Sequence, residues 1–244
     1  MKNTVAVFLA VLAVLFLAMQ TEAKALYFSG FEWTVRETGK GAPGNNFWHE
    51  DNVWVDENGF LHLVMRQRDG VWTCAEIKTK ERFQFGKFTF EIIGRIDRLD
   101  KNVVLGLFNY PQEFGRDGLD EVDIEFAKWG KDGNNNGNYT VWANQKGVAE
   151  RTHNFPFALN NDNSTHTYTR TPQNVSFQSF YGHNTKDLIY EWNFAPANPE
   201  KHISPVPMPL YLNLWLFRGN PPSDGERVEI IVRRIEFSKM SATN

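Results

Sequence analysis

Apolar and polar residues alternate with a period of two in segment after segment of this chain, and no long helical repeat appears beyond residue 25. Successive side chains of a strand point to opposite faces, whereas a helix face needs apolar residues three and four apart. The alternation predicts strands at 60–65, 87–93, 103–110, 139–143, 165–170, 175–181, 188–194, 210–217 and 227–237. Polar turn signals stand between them, at Glu57-Asn58-Gly59, Arg68-Asp69-Gly70, 130–138, Ala195-Pro196 and 220–225. Many short strands joined by polar turns predict an all-β fold, a two-sheet sandwich or a barrel. No repeat or linker divides the chain, and all-β domains of about 220 residues commonly form one core. Residues 26–244 are therefore expected to be a single domain.

The first 25 residues read differently. Lys2 opens with a positive charge, 5–19 is almost continuously apolar, and Ala23-Lys24-Ala25 offers small residues to a signal peptidase. The apolar run is short for a membrane span. Residues 1–25 are expected to be a signal peptide cut after Ala25, with Ala23 as the second choice and an uncleaved anchor as the alternative. A secreted or periplasmic protein with one cysteine, Cys74, cannot staple itself internally. Its stability must come from packing, with Cys74 a small buried residue. The net charge of -3 gives no electrostatic reason to expect nucleic acid or an anionic membrane as partner. A monomer is expected. The twenty Phe, eight Trp and seven Tyr suit both a core and the faces of sugar rings, and composition does not separate these uses.

Asp132, Asn134, Asn136 and Gly137 imitate the opening of a calcium loop. The position that should close it with a Glu holds Ala143, and no helices flank it. A Gly- and Asn-rich turn is the better reading. His49, His62 and His166 have no metal-ligand spacing, and no metal or cofactor is implied.

The informative segment is Asp120-Glu121-Val122-Asp123-Ile124-Glu125-Phe126. A strand here places Glu121, Asp123 and Glu125 on one face and Val122, Ile124 and Phe126 on the other. Three like charges in a row gain nothing for folding. The outer Cα atoms lie about 13 Å apart at strand rise, and two Glu side chains leaning inward close much of that gap. Retaining glycosidases need about 5–5.5 Å between nucleophile and acid/base. Crowding also keeps at least one carboxyl protonated toward neutral pH. One anionic nucleophile beside one protonated acid is what such a site requires. A solvated acidic face is the plainer alternative.

Glu-x-Asp-x-Glu within Asp-Glu-Val-Asp-Ile-Glu-Phe resembles the active-site strand of glycoside hydrolase family 16, most of all its licheninases. The spacing is the unbulged one of licheninases and xyloglucan-modifying enzymes; the C-terminal cysteines of the latter are missing here. The resemblance implies a concanavalin A-like jelly-roll β-sandwich of two antiparallel sheets with a concave cleft, and a polysaccharide or oligosaccharide substrate such as mixed-linkage β-1,3-1,4-glucan. It extends to Asn45-Asn46-Phe47-Trp48, to Cys74-Ala75-Glu76-Ile77-Lys78, to Tyr110 and to Leu212-Asn213-Leu214-Trp215. It thereby implies substrate contacts from Asn45, Glu76, Lys78, Tyr110, Asn213 and Trp215. Asn45 also reads as a turn residue beside Gly44, Glu76 and Lys78 as a surface ion pair, and Trp215 as core. Departures are Leu119 for a Trp, Lys78 for an Arg, Phe47 where the disulfide partner of Cys74 would stand, and Ala127-Lys128-Trp129 for Leu-Gly. Trp129 restores aromatic surface.

The expected chemistry is double displacement, with Glu121 as nucleophile, Glu125 as acid and then base, and Asp123 bonded to Glu121. A transglycosylase using the same intermediate and a non-catalytic lectin are the alternatives.

Overall fold

The structure is a computed structural model that describes residues 23–111, 120–143 and 150–240. Residues 1–22, where most of the expected signal peptide falls, and Leu119 lie outside the described residues. The strands are β1 Ala25–Phe28, β2 Phe31–Val35, β3 Gly39–Gly41, β4 Asn46–Trp48, β5 Val53–Val55, β6 Leu61–Arg68, β7 Val71–Thr79, β8 Gly86–Ile93 and β9 Val103–Asn109. There follow β10 Val122–Phe126, β11 Gly137–Val141, β12 Thr152–Phe155, β13 Asn163–Arg170, β14 Val175–Tyr181, β15 Leu188–Phe194, β16 Leu210–Leu216 and β17 Val228–Lys239. Among the described residues, helix is confined to four single 3-10 turns.

Two antiparallel layers form a jelly-roll sandwich. One runs β12-β11-β10-β9-β16-β7-β2-β1. The other runs β15-β14-β13-β8-β17-β6-β5. The β6–β7 hairpin joins the layers, with Arg68 opposite Val71. Its turn residues Asp69 and Gly70 both take positive φ, 46° and 79°, the backbone that a two-residue turn needs to match strand twist. One pairing departs from the antiparallel expectation: β4 lies parallel to β7.

The aromatic residues divide between core and cleft. In the core, Tyr139 stacks on Phe177 at 4.9 Å, Phe88 meets Tyr168 at 5.2 Å and Phe126 meets Phe157 at 4.7 Å. Each such ring taken from water stabilises the fold by about 1.5–3 kcal/mol. Polar groups buried against this core find partners at two places. His166, forced down to about 3 by burial, bonds Ser179 at 2.8 Å and Ser164 at 2.9 Å. The Tyr168 hydroxyl donates to Asn109 at 2.5 Å, and Asn109 donates to the Pro209 carbonyl at 2.8 Å. Asn109 faces Val122 across the β9–β10 pair, so this chain of bonds ties the start of β10 to both layers.

Cys74 is fully buried and its thiol is pushed up to about 12 by that burial. The residue that meets it is Asn46, whose side-chain oxygen accepts from Sγ at 3.4 Å. This corrects the expectation of Phe47 at that place. Asn46 also donates to Leu216 O at 3.0 Å and to Pro43 O at 2.7 Å, so an amide pins the 42–45 turn to β16 without a disulfide.

Candidate active site

β10 lies between β9 and β11, with Asp123 opposite Phe108 and Thr140, and Glu125 opposite Gly106 and Asn138. Val122, Ile124 and Phe126 are buried in the core. Glu121, Asp123 and Glu125 point the other way, into a cavity of about 540 Å³ on the outer face of the first layer. Glu121 sits just before the strand, where pairing continues: Trp142 N donates to Glu121 O at 2.8 Å and Asp120 N to Trp142 O at 2.6 Å. Asp120 takes φ 75° to make that junction.

The floor is shaped by a glycine. Gly106 stands between Glu125 on β10 and Asn213 on β16, and a Cβ there would come within 2.5 Å of Asn213 Oδ1. Side chains of Phe108, Tyr211, Asn213 and Trp215 continue the floor across β9 and β16. Phe108 and Tyr211 stack at 5.1 Å, and Tyr110 meets Tyr211 edge-on at 6.2 Å. Trp129 and Trp215 form an aromatic corner with centroids 6.4 Å apart. Flat apolar faces beside buried polar groups suit sugar rings. At the far end Arg36 donates to Glu76 and to Ala42 O, both at 2.9 Å, and lies over Trp48 at 4.2 Å. Asn213 Nδ2 donates to Glu76 at 3.3 Å, whereas its buried Oδ1 meets no donor among the described residues.

Burial is the main force on the acids. It pushes Glu121 up to about 7, opposed by a hydrogen bond with Asp123. Burial and then the charge of Glu121 push Glu125 up to about 8. Asp123 is held well above the ordinary carboxyl range by burial and then by the charges of Glu121 and Glu125. Its Oδ2 accepts from the Trp142 indole at 2.7 Å, while Oδ1 meets no N–H donor among the described residues. Asp123 and Glu121 share a side-chain hydrogen bond, and the acids titrate as a group.

The raised values set a pH dependence of stability. The folded protein binds more protons than the unfolded chain from the ordinary Glu value of 4.5 up to about 7 and 8. Stability therefore falls as pH rises through that window. Glu125→Gln removes one buried charge. Calorimetry should find little change in Tm near about pH 4 and a gain of several degrees near about pH 8.5, on the order of 2 kcal/mol. An equal gain at both pH values would show that ionisation is not its source.

Of the sequence-derived binding residues, Glu76, Tyr110, Trp129, Asn213 and Trp215 line the cavity with the three acids. Lys78 lines an adjoining groove of about 470 Å³ that shares Arg36, Glu76 and Tyr211 with it. Asn45 is exposed at φ 61°, in the 42–45 turn and outside the lining. The calcium-like residues serve the turn: Asp132 pairs with Lys101 at 3.2 Å, and Asn136 donates to Asp97 O and Phe157 O, each at 2.9 Å. Sequence reasoning missed Arg36, Phe108, Trp142 and Tyr211. Phe108 and Tyr211 were accessible to it, being two residues from Tyr110 and Asn213 on the same strand faces.

A sandwich whose aromatic cleft holds one buried and two half-buried acids side by side fits a carbohydrate-active enzyme, a glycoside hydrolase. Residues 42–184 match the model for glycosyl hydrolases family 16, and the chain belongs to that family. No curated protein sequence matches it. Among solved structures it is similar to a Bacillus licheniformis β-glucanase, with TM-score 0.64, 19% identity, and coverage of 88% of this chain and 95% of that one. A laminarinase from Flavobacterium sp. UMI-01 has TM-score 0.64 and 16% identity, over 85% and 93% of the two chains. A β-1,3-1,4-glucanase (lichenase) derived from a mouse hindgut metagenome has TM-score 0.61 and 20% identity, over 88% and 96%.

Proposed function

We propose that the chain is an exported, monomeric, endo-acting β-glucan hydrolase that retains anomeric configuration. The observation that carries this is the placement of Glu121, Asp123 and Glu125 side by side in the cleft, Asp123 buried and the two Glu half-buried, with raised values that let one Glu be anionic while the other holds a proton. Glu121 attacks the anomeric carbon as Glu125 gives its proton to the departing glycosidic oxygen. Glu125 then takes a proton from water, whose oxygen displaces Glu121 from the glycosyl-enzyme. A cleft that crosses the strands from Trp142 to Arg36 suits a chain laid across the sheet. The names of the similar solved structures, β-glucanase, laminarinase and lichenase, favour a β-glucan.

Incubation with barley mixed-linkage glucan, laminarin, xyloglucan, agarose and carrageenan tests the reading, with Glu121→Gln alongside. New reducing ends from a β-glucan that vanish in the variant are expected. Cleavage of agarose or carrageenan alone would overturn the substrate class. Binding without cleavage would favour a lectin, and products longer than the donor a transglycosylase.

Export fits processing after Ala23 better than after Ala25. Lys24 Nζ donates to Glu50 O at 3.0 Å and Val53 O at 2.9 Å, and Lys24 O accepts from Val35 N at 2.7 Å. The mass of the exported protein should correspond to a chain starting at Lys24; a start at Leu26 would contradict this.

A further inference from the structure

The acids of the β10 segment receive a side-chain N–H bond from Trp142, on the neighbouring strand's extension. The indole Nε1 donates to Asp123 Oδ2 at 2.7 Å. The residue is fixed from behind as well, because its backbone N and O bond Glu121 and Asp120. The Arg151 guanidinium lies over the indole, 4.8 Å from its centre. A cation on a ring face draws electron density from the ring and strengthens its N–H as a donor.

We propose that Trp142 is a positioning residue whose N–H holds one oxygen of Asp123 so that the other is committed to Glu121, with Arg151 reinforcing it through the ring. The proposal rests on the hydrolase reading above and adds the element that governs which acid is anionic. The groups around Asp123 limit what else can do this. Glu121 and Glu125 flank it on β10, and both raise its proton affinity by their charge. Its cross-strand neighbours Phe108 and Thr140 do not titrate in the working range. From the opposite layer Tyr168 feels the charge of Asp123, and Arg170 acts on Tyr168 from behind. The Trp142 bond is the interaction that favours the anion of Asp123. It lets the Glu121–Asp123 pair lose its first proton, and so produce the nucleophile, at lower pH than burial alone would permit.

Trp142→Phe keeps a ring and deletes the donor. The ascending limb of log kcat/KM against pH is expected to move upward by about one unit, the size set by a hydrogen bond to a charged group. Arg151→Gln should move it the same way by less. A role in packing alone would lower activity at every pH and leave the limb in place, and that result would overturn the proposal. A second readout needs no turnover. The indole N–H resonance of Trp142, identified by its loss in Trp142→Phe, should shift with pH as the acids titrate and stop doing so in Asp123→Asn. An indole signal indifferent to pH in the wild-type protein would equally overturn it. Hydrolysis that survives Glu121→Gln would instead sink the functional reading, while the resonance still reports on Trp142.

Discussion

Glu121→Ala should lower hydrolysis of the polymer by at least about 10³-fold, the scale of loss when a nucleophile is deleted from a site that otherwise persists. The fold should stay intact, because Glu121 stands just outside β10 and its strand-like contacts are made by its backbone. Its side chain faces the cavity, so truncation removes no core contact. The informative part is rescue. Azide fits the space left by the carboxylate and can attack an aryl β-glucoside from the face Glu121 used. The C–O bond to the aglycone breaks, a C–N bond forms, and the departing oxygen takes the proton of Glu125 or leaves as a phenolate. The product is then the α-glycosyl azide. A β-glycosyl azide from this variant would assign the nucleophile to another residue.

Glu125→Ala should show the complementary pattern. Loss of a general acid costs about 10²–10⁴-fold where the leaving group needs a proton. Cleavage of the polymer should fall by that factor, while formation of the glycosyl-enzyme from a dinitrophenyl β-glycoside, whose leaving group needs none, should fall far less. The intermediate then accumulates because no base activates water, and azide should release it as the β-glycosyl azide. The descending limb of the pH profile, expected near the value of about 8 to which Glu125 is raised, should disappear. Equal losses on both substrates would remove Glu125 from the acid role.

How much of this is legible in the sequence depends on what each residue leans on. Strands such as 175–181 and 188–194 were read with their observed bounds, because their alternation is a property of the segment itself. Gly39-Lys40-Gly41 carries no such signal, and β3 is a strand only because Gly39 and Gly41 find Trp48 and Asn46 across the pair. The 152–155 strand escaped similarly, being short and polar at three of four positions. Alternation alone placed Glu121, Asp123 and Glu125 on one face, but not how deeply. Their depth comes from Phe108, Tyr211 and Trp142, brought beside them by cross-strand register that no local pattern encodes. Asn45 and Lys78 rested on motif resemblance. The fold sets Asn45 at the exposed tip of a turn whose inward amide is Asn46, and Lys78 one step past the cleft.

The central claim is that the acids act by double displacement, and the stereochemistry of the first product tests it most directly. Proton NMR of a β-glucan oligosaccharide digest, recorded from the first minutes, resolves the anomeric signal of the newly formed reducing end before mutarotation scrambles it. The account predicts that the β-anomer appears first and the α-anomer grows in later. An α-anomer formed first would mean direct displacement by water, and would contradict Glu121 as a nucleophile.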